Sequence, residues 1–196
     1  MSGVSRETMS RLSAYVDLLE QWNRRINLVG RNTMGDIWRR HILDAAQLYP
    51  LLPARTRILV DLGSGAGVPG LILAAMGVAE VHLIESDQRK AAFLREAIRV
   101  MDVPAIVHPE RIEKTTHFFA DVVTARALTD LAELLDLSEK FLSPRTLCLF
   151  LKGASVDDEL ALAKTLWTMK IERLPSRSDP TGAILKIESA RRGIAA

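Results

Sequence analysis

The sequence predicts an α/β fold in which a helical cap precedes a mainly parallel sheet that ends with a C-terminal antiparallel strand. From residue 57 onward, short apolar runs alternate with helical patterns, as in strands joined by crossover helices. The first 55 residues carry only helix-period apolar patterns. The chain has 196 residues, of which 48% are hydrophobic, enough for one well-buried domain. We therefore expect a single domain over 1–196, with the cap at 1–55 and the core at 56–196.

Two amphipathic helices account for the predicted cap. The first has apolar residues at three- and four-residue steps, namely Met9, Leu12, Tyr15, Val16, Leu19 and Trp22. The second is predicted to begin with Thr33 as its capping residue and to stop before Pro50 and Pro53. Its apolar stripe comprises Ile37, Trp38, His41, Ile42, Ala45 and Leu48.

The core is predicted to alternate strands and helices. The candidate strands are 57–62, 80–85, 105–108, 121–125 and 146–151. The candidate helices are 69–76, 88–101, 130–141 and 156–167. Two further strands are expected on either side of the segment 176–182, because its Ser, Asp, Pro and Gly residues are typical of turns. We expect this last pair to form an antiparallel hairpin at one edge of the sheet.

The most informative segment is Ile58-Leu-Val-Asp-Leu-Gly-Ser-Gly-Ala-Gly-Val-Pro-Gly70, where an apolar strand leads into a glycine-rich loop. Glycines at 63, 65 and 67 allow positive φ and the close approach of a ligand to bare backbone. Pro69 suits the first turn of a following helix. Glu85 ends the next apolar strand, where a carboxylate is placed to bind ribose hydroxyls. The pattern predicts a nucleoside-cofactor site rather than a glycine-rich turn without a ligand.

Two classes of cofactor fit this loop. Gly65-x-Gly67-x-x-Gly70 satisfies the dinucleotide fingerprint, and Glu85 lies 20 residues after Gly65, near the separation expected for a ribose-binding acid. Asp61 favours S-adenosylmethionine over NAD, because a carboxylate at the strand end repels a pyrophosphate but accepts hydrogen bonds from loop amides or a ligand ammonium.

The composition indicates the cellular compartment in which the protein is expected. The single cysteine, Cys148, excludes an internal disulfide and a cysteine-rich metal cluster, and in its apolar run we expect a buried thiol. No N-terminal segment has the pattern of a signal peptide, and no apolar run approaches the roughly 20 residues of a membrane helix. We expect a soluble, cytoplasmic protein.

The net charge is only +2, but the arginines are concentrated in one part of the chain. Residues 20–60 hold seven arginines against three acidic residues. The arginines are Arg24, Arg25, Arg31, Arg39, Arg40, Arg55 and Arg57. The planar guanidinium binds phosphate with two hydrogen bonds and stacks on bases. A nucleic-acid interface and a solvated surface both fit this cluster.

Six motifs, in chain order, resemble the RsmG (GidB) family, and the similarity runs from about Ser10 to Ile187. The motifs are Trp22-Asn-Arg-Arg-Ile-Asn-Leu28, Arg40-His-Ile-Leu-Asp44, Asp61-Leu-Gly-Ser-Gly-Ala-Gly-Val-Pro-Gly70, Glu85-Ser-Asp-Gln-Arg-Lys90, Thr124-Ala-Arg-Ala-Leu128 and Leu151-Lys-Gly153. The first two lie outside the generic cofactor fold, which makes the resemblance specific. Members of the family are bacterial methyltransferases that place a methyl group on N7 of a guanine in 16S ribosomal RNA.

The resemblance implies a Rossmann-like class I fold, S-adenosylmethionine as the cofactor, and 16S rRNA or the small ribosomal subunit as the partner. Together with the residues of the glycine loop, it gives the predicted cofactor contacts Asp61, Gly63, Gly65, Gly67, Val68, Glu85, Ser86, Ile112, Glu113 and Arg126. Ile112 departs from the small residue that the family often has before the acid. We expect no membrane partner and a monomer.

The sequence also indicates which methylation chemistry is feasible. Methylation of carbon 5 of a pyrimidine needs a cysteine nucleophile, and Cys148 is expected to be buried. Enzymes that methylate exocyclic amines commonly carry an Asn/Asp-Pro-Pro-aromatic loop after the fourth strand. This chain has Thr124-Ala-Arg-Ala there instead. Guanine N7 carries no proton and is already nucleophilic, so orientation suffices and we predict no general base.

We predict that five residues position the substrate, namely Arg126, Lys152, His41, Arg40 and Asp44. Taken without the family, His41 is better explained as a histidine packed on an apolar helix face and paired with Asp44 for structural reasons. Three other functions stay open at this point: methylation of another RNA, methylation of a small molecule, and NAD-dependent oxidoreduction.

Overall fold

The computed structural model describes residues 4–193, and its centre is a seven-stranded sheet of order β3-β2-β1-β4-β5-β7-β6. Strand β7 is antiparallel to β5 and β6, and the other neighbouring pairs are parallel. The strands are β1 (Ile58–Leu62), β2 (Glu80–Ile84), β3 (Ala105–His108), β4 (Val122–Arg126), β5 (Leu147–Lys152), β6 (Trp167–Pro175) and β7 (Ala183–Arg192). The predicted parallel sheet and edge hairpin are confirmed.

Six α-helices accompany the sheet within the described residues. They are α1 (Arg6–Asn23), α2 (Asp44–Ala46), α3 (Gly70–Ala75), α4 (Gln88–Met101), α5 (Leu131–Ser138) and α6 (Val156–Leu166). Alternate strand residues point to opposite faces, so Leu59 packs with α1, α3 and α4 while Val60 packs with α5 and α6. The cap helix α1 therefore shares a hydrophobic cluster with the core.

The second cap helix departs from the prediction of one continuous α-helix capped by Thr33. A 3₁₀ helix (Arg31–Asp36) begins after Gly30, and a π-helix (Trp38–Leu43) then runs into α2. Thr33 lies inside the 3₁₀ helix and donates its hydroxyl hydrogen to the Gly30 carbonyl at 2.7 Å. The rest of the predicted apolar stripe is buried, but Trp38, the first residue of the π-helix, is 36% exposed although its spacing predicts a buried position.

Cys148 lies in the middle of β5 and is fully buried. Burial raises the pKa of its thiol to about 12, so it has no thiolate to offer as a nucleophile. The prediction of a buried thiol is confirmed. Among the helices described, none is both long and apolar enough to cross a membrane.

Candidate active site

The glycine-rich loop follows β1 at the carboxyl edge of the sheet, where α/β proteins bind ligands. Gly63, Gly65 and Gly67 have φ of +60°, +56° and +80°, a region that disfavours residues with a Cβ. A Cβ at Gly63 would also come within 2.6 Å of a methyl carbon of Leu128. The positive φ therefore favours glycine at Gly63, and a larger residue would also displace the end of the Leu128 side chain.

Glu85 holds this loop by backbone contacts. Its Oε2 accepts a hydrogen bond from the Gly65 amide and its Oε1 one from the Asp87 amide, each at 2.8 Å. The side chain is largely buried but still borders the cavity beside the loop. A carboxylate oxygen accepts more than one hydrogen bond, so capacity remains for the hydroxyl groups of a ribose.

Asp61 lies beneath the loop. Its carboxylate accepts hydrogen bonds from Thr124 Oγ1 at 2.7 Å and from the Gly70 amide at 3.3 Å. Burial raises its pKa to about 6, and the hydrogen bonds from Thr124, Ser64 and Gly70 counteract the rise. The sequence predicts that Asp61 accepts hydrogen bonds from loop amides or from a ligand ammonium. The structure shows the first of these, a hydrogen bond from the Gly70 amide at the end of the loop.

The first cavity, of about 580 Å³, lies between the glycine loop, the end of β2 and the segment after β3. Eight of the ten predicted cofactor contacts line it, namely Gly63, Gly65, Val68, Glu85, Ser86, Ile112, Glu113 and Arg126. The other two do not. Asp61 is only 1% exposed beneath the loop, and Gly67 faces inward, where a Cβ would lie 2.4 Å from Leu71. These two residues support the loop without bordering the cavity.

The second cavity, of about 660 Å³, lies between the cap, the ends of β4 and β5, and the loop that joins β6 to β7. All five residues predicted to position the substrate line it, namely Arg40, His41, Asp44, Arg126 and Lys152. They come from parts of the chain more than 100 residues apart. The fold brings them together because the carboxyl ends of β4 and β5 lie below the cap.

Arg126, the last residue of β4, borders both cavities. Its Nη1 donates to the Arg40 carbonyl at 3.3 Å and contacts Asp44 Oδ2 at 3.4 Å. The following residue, Ala127, has a φ of +49°, which is rare for a residue with a Cβ, and it also lies in the shared wall. The structure thus places a partly buried guanidinium where the cavities meet.

Lys152 is more constrained than a lysine that simply projects from a strand end. Its side chain is 7% exposed, its Nζ donates to the Thr129 carbonyl at 2.7 Å, and it forms an ion pair with Glu159 at 2.5 Å. Thr129 belongs to the wall shared by the cavities. Lys152 therefore fixes that wall as well as lining the second cavity.

His41 is held by the cap itself: its side chain contacts Thr33, and Asp44 contacts only its backbone, where the Asp44 amide donates to the His41 carbonyl. Its Nε2 lies 2.8 Å from Thr33 Oγ1, whose own hydrogen goes to the Gly30 carbonyl, so Nε2 carries the proton. Burial, with the nearby charges of Arg126 and Arg40, lowers its pKa to about 4. His41 is neutral near pH 7, and its buried Nδ1 has no hydrogen-bond partner among the described side chains and backbone of residues 4–193. The alternative pairing with Asp44 was wrong.

The loop between β6 and β7 also lines the second cavity, which the sequence did not predict. Ser176, Ser178 and Asp179 line the second cavity, and Asp179 forms an ion pair with Arg40 at 2.8 Å. Hydrogen bonds from the Thr181 amide and hydroxyl, with that arginine, lower the pKa of Asp179 to about 2. The only signal in the sequence was the turn composition, which predicted the loop but not its partner.

Comparison with known proteins agrees with this geometry. Residues 8–178 match the GidB family, described as rRNA small subunit methyltransferase G. A relative of that name from Rhodospirillum centenum is 58% identical and aligns over 98% of this chain and 89% of its own length. Another from Rhodospirillum rubrum is 57% identical over 96% of this chain and 94% of its own. The chain belongs to the GidB family.

The GidB chain shares its fold with solved methyltransferases of low sequence identity. A ribosomal protein L11 methylase from Lactobacillus delbrueckii subsp. bulgaricus has a TM-score of 0.62 and 15% identity, covering 74% of this chain and 76% of its own. TYW2 from M. jannaschii, solved with AdoMet, has a TM-score of 0.61 and 14% identity, covering 87% and 80%. The predicted class I fold, and the prediction of an rRNA methyltransferase that uses S-adenosylmethionine, are confirmed.

The first cavity of this GidB member fits that cofactor. Its volume lies within the roughly 300–1,000 Å³ of small-molecule sites. The loop at Gly63 and Gly65 exposes backbone, Glu85 offers carboxylate oxygens, and Ile112 supplies an apolar wall. Leu128 packs over Gly63 at the end nearer the second cavity. This end is also where Arg126 lies.

Proposed function

We propose that this protein methylates N7 of a guanine in 16S rRNA, with the cofactor in the first cavity and the guanine in the second. The single observation that supports this arrangement is the wall that the two cavities share. It is formed by Leu28, Arg126, Ala127, Leu128 and Thr129. A methyl donor and its acceptor must approach within about 3 Å, which requires neighbouring and connected sites.

The residues that would hold the cofactor come from three neighbouring strand ends. Glu85 would accept hydrogen bonds from the ribose, Ile112 would contact the adenine, and Gly63 would allow close approach of the backbone. When bound, S-adenosylmethionine supplies an electrophilic methyl group on its sulfonium. The protein's own task is to orient the acceptor and exclude water.

Positioning is sufficient for guanine N7, and the second cavity is built for it. N7 has a lone pair and no proton to remove, so catalysis comes from alignment. His41 is neutral near pH 7, Arg40 and Asp44 are held by partners, and Lys152 is paired with Glu159. Arg126 would contact the purine at the shared wall, and the others would orient it.

A structured RNA surface suits the outside of the molecule. Arg24, Arg25 and Arg55 of the cap and Arg57 at the start of the core are exposed, whereas Arg39 and Arg40 form ion pairs within the protein. The side chain of Arg31 lies outside the described part. Modest net charge favours an assembled small subunit or its precursor over long naked RNA. We also propose that the protein acts as a monomer in the cytoplasm, the compartment that an rRNA substrate fits.

The decisive experiment is transfer of a labelled methyl group to small ribosomal subunits that lack the modification, followed by mapping of the modified base. We expect one labelled guanine, methylated at N7. Label in another RNA, in a small molecule, or at another position of the base would contradict this proposal. Naked 16S rRNA as a second substrate tests the preference for the assembled particle.

A further inference from the structure

The loop at residues 176–182 crosses from the edge hairpin to the cap and closes the second cavity. The Arg177 amide donates to Gln47 Oε1 at 2.8 Å, and Asp179 pairs with Arg40 at 2.8 Å. Ser178 is only 2% exposed and contacts Asp44, which lies 134 residues away in the chain. A surface turn with this many contacts to one helix has a role beyond joining two strands.

The direction of the hydrogen bonds around Asp44 follows from its chemistry. An ionised carboxylate only accepts, so Ser178 Oγ donates its single hydrogen to Asp44 Oδ1. Ser176 Oγ lies 2.9 Å from Ser178 Oγ and must therefore be the donor of that pair. Gln47 Nε2 also donates to Asp44 Oδ1 at 3.0 Å. One carboxylate oxygen is thus fixed by two donors.

The other oxygen, Asp44 Oδ2, is left for Arg126, whose Nη1 lies 3.4 Å away. Arg40, on the same cap segment, pairs with Asp179 of the loop. Asp44 pairs with Arg126 at the shared wall. The loop therefore contributes two groups. The Asp179 carboxylate pairs with Arg40, and the Ser178 hydroxyl orients Asp44, which pairs with Arg126.

We propose that Ser178 is a positioning residue for methyl transfer, which acts through Asp44 on Arg126. The inference rests on the proposed function, in which Arg126 contacts the guanine between the two cavities. Ser178 itself need not touch the substrate. Its loss would leave Gln47 as the remaining donor to Asp44 Oδ1 and loosen the carboxylate, so that one of the two partners that hold Arg126 would be less well fixed.

The test compares Ser178→Ala with the wild type on small subunits. We expect kcat to fall about tenfold, because neighbouring polar groups couple on this scale, while cofactor affinity measured by calorimetry stays within about twofold. Ser178→Thr keeps the hydroxyl and should restore most of the rate. Arg177→Ala, which changes an exposed side chain of the same loop outside the cavity wall and keeps the backbone hydrogen bond to Gln47, should leave kcat unchanged.

A second measurement separates positioning from simple docking of the loop. In an Asp44→Asn background the further change Ser178→Ala should cost less than about twofold, because the residue it acts through is already altered. If the two substitutions lower kcat independently, so that their effects multiply, the proposal is overturned. A wild-type kcat in Ser178→Ala would also overturn it. If Ser178→Ala fails to fold, Ser178→Cys replaces it as the variant without a strong donor. An inactive wild type would instead refute the proposed function.

Discussion

Arg126 is the residue whose position carries the most consequence, because it borders both cavities and is held by the Arg40 carbonyl and Asp44. We predict that Arg126→Ala lowers kcat by about 100-fold or more, since loss of orientation at the reacting atoms costs this much. Its thermal unfolding should stay close to that of the wild type. Methyl incorporation and calorimetric melting measure the two effects. The exposed Arg145→Ala is the control, and full activity in Arg126→Ala would remove Arg126 from the site.

His41 gives a prediction of pH dependence. Its folded pKa is lowered to about 4, below the ordinary value of 6.5, so the unfolded chain binds the extra proton more readily than the folded protein. The free energy of unfolding of the wild type should therefore fall, relative to His41→Gln, as pH drops from about 6.5 to about 4. Between pH 7 and 8 the difference should be constant. Urea unfolding of both proteins across this range is the measurement, and parallel curves would contradict the assigned burial.

At the scale of elements, the cap is joined to the cofactor loop by one buried hydrogen bond. The Tyr15 hydroxyl, on α1, donates to the Ala66 carbonyl at 2.8 Å, between two glycines of positive φ. Burial raises the pKa of Tyr15, so the hydroxyl remains a donor at all ordinary pH. A helix of the cap thus fixes the backbone that borders the first cavity.

We predict that Tyr15→Phe weakens cofactor binding about fivefold, equivalent to the roughly 1 kcal/mol of one hydrogen bond. The aromatic ring and its packing against Phe93 are kept. Thr8→Val is the matched control, because Thr8 Oγ1 joins the same helix to the Ala75 carbonyl at 3.3 Å, away from the loop. Calorimetric titration with S-adenosylmethionine should separate the two variants. Equal effects would show that α1 acts on stability alone.

Element prediction succeeded where local patterns decide the structure. Helix α4 has the predicted bounds because Asp87 caps it by accepting from the Arg89 and Lys90 amides and its apolar residues keep a regular period. The second cap helix was mispredicted because its 3₁₀ and π turns depend on packing against the core. The same packing brings His41 onto Thr33 instead of Asp44. The spacing of apolar residues along the chain does not show which polar partner a buried side chain will meet.

For the whole molecule, a basic groove of about 320 Å³ adjoins the cofactor cavity and suggests the path of the RNA backbone. Arg25 of the cap and Arg89 and Lys90 of α4 line it, and Lys90 also lines the first cavity. Asp87 in the groove wall accepts hydrogen bonds from the Arg89 and Lys90 amides and pairs with the Arg89 guanidinium at 3.4 Å. The Arg89 side chain is nevertheless 74% exposed, and a surface ion pair of this kind is weak. The groove is thus open to phosphate groups.

We predict that Arg25→Ala combined with Arg89→Ala raises KM for small subunits and makes the salt dependence of binding shallower by about one to two in slope. The cofactor affinity and kcat should be unchanged. Arg191→Ala with Arg145→Ala, on other exposed parts of the molecule, is the matched control. Binding to small subunits between low and moderate salt gives the slopes. Identical slopes for both double variants would exclude this groove from the RNA interface.

The sequence alone determined the parts that depend on local chemistry. Positive φ favours glycine at Gly63, alternation of apolar runs gives the parallel sheet, and the family motifs identify the cofactor and the ribosomal RNA. Only the tertiary structure showed that Asp61 lies beneath the cofactor cavity instead of in its wall. It also brought Ser178, Asp44 and Arg126 together from three distant segments. Such contacts arise when strands and helices pack, and no periodicity in the chain encodes which loop will reach which helix.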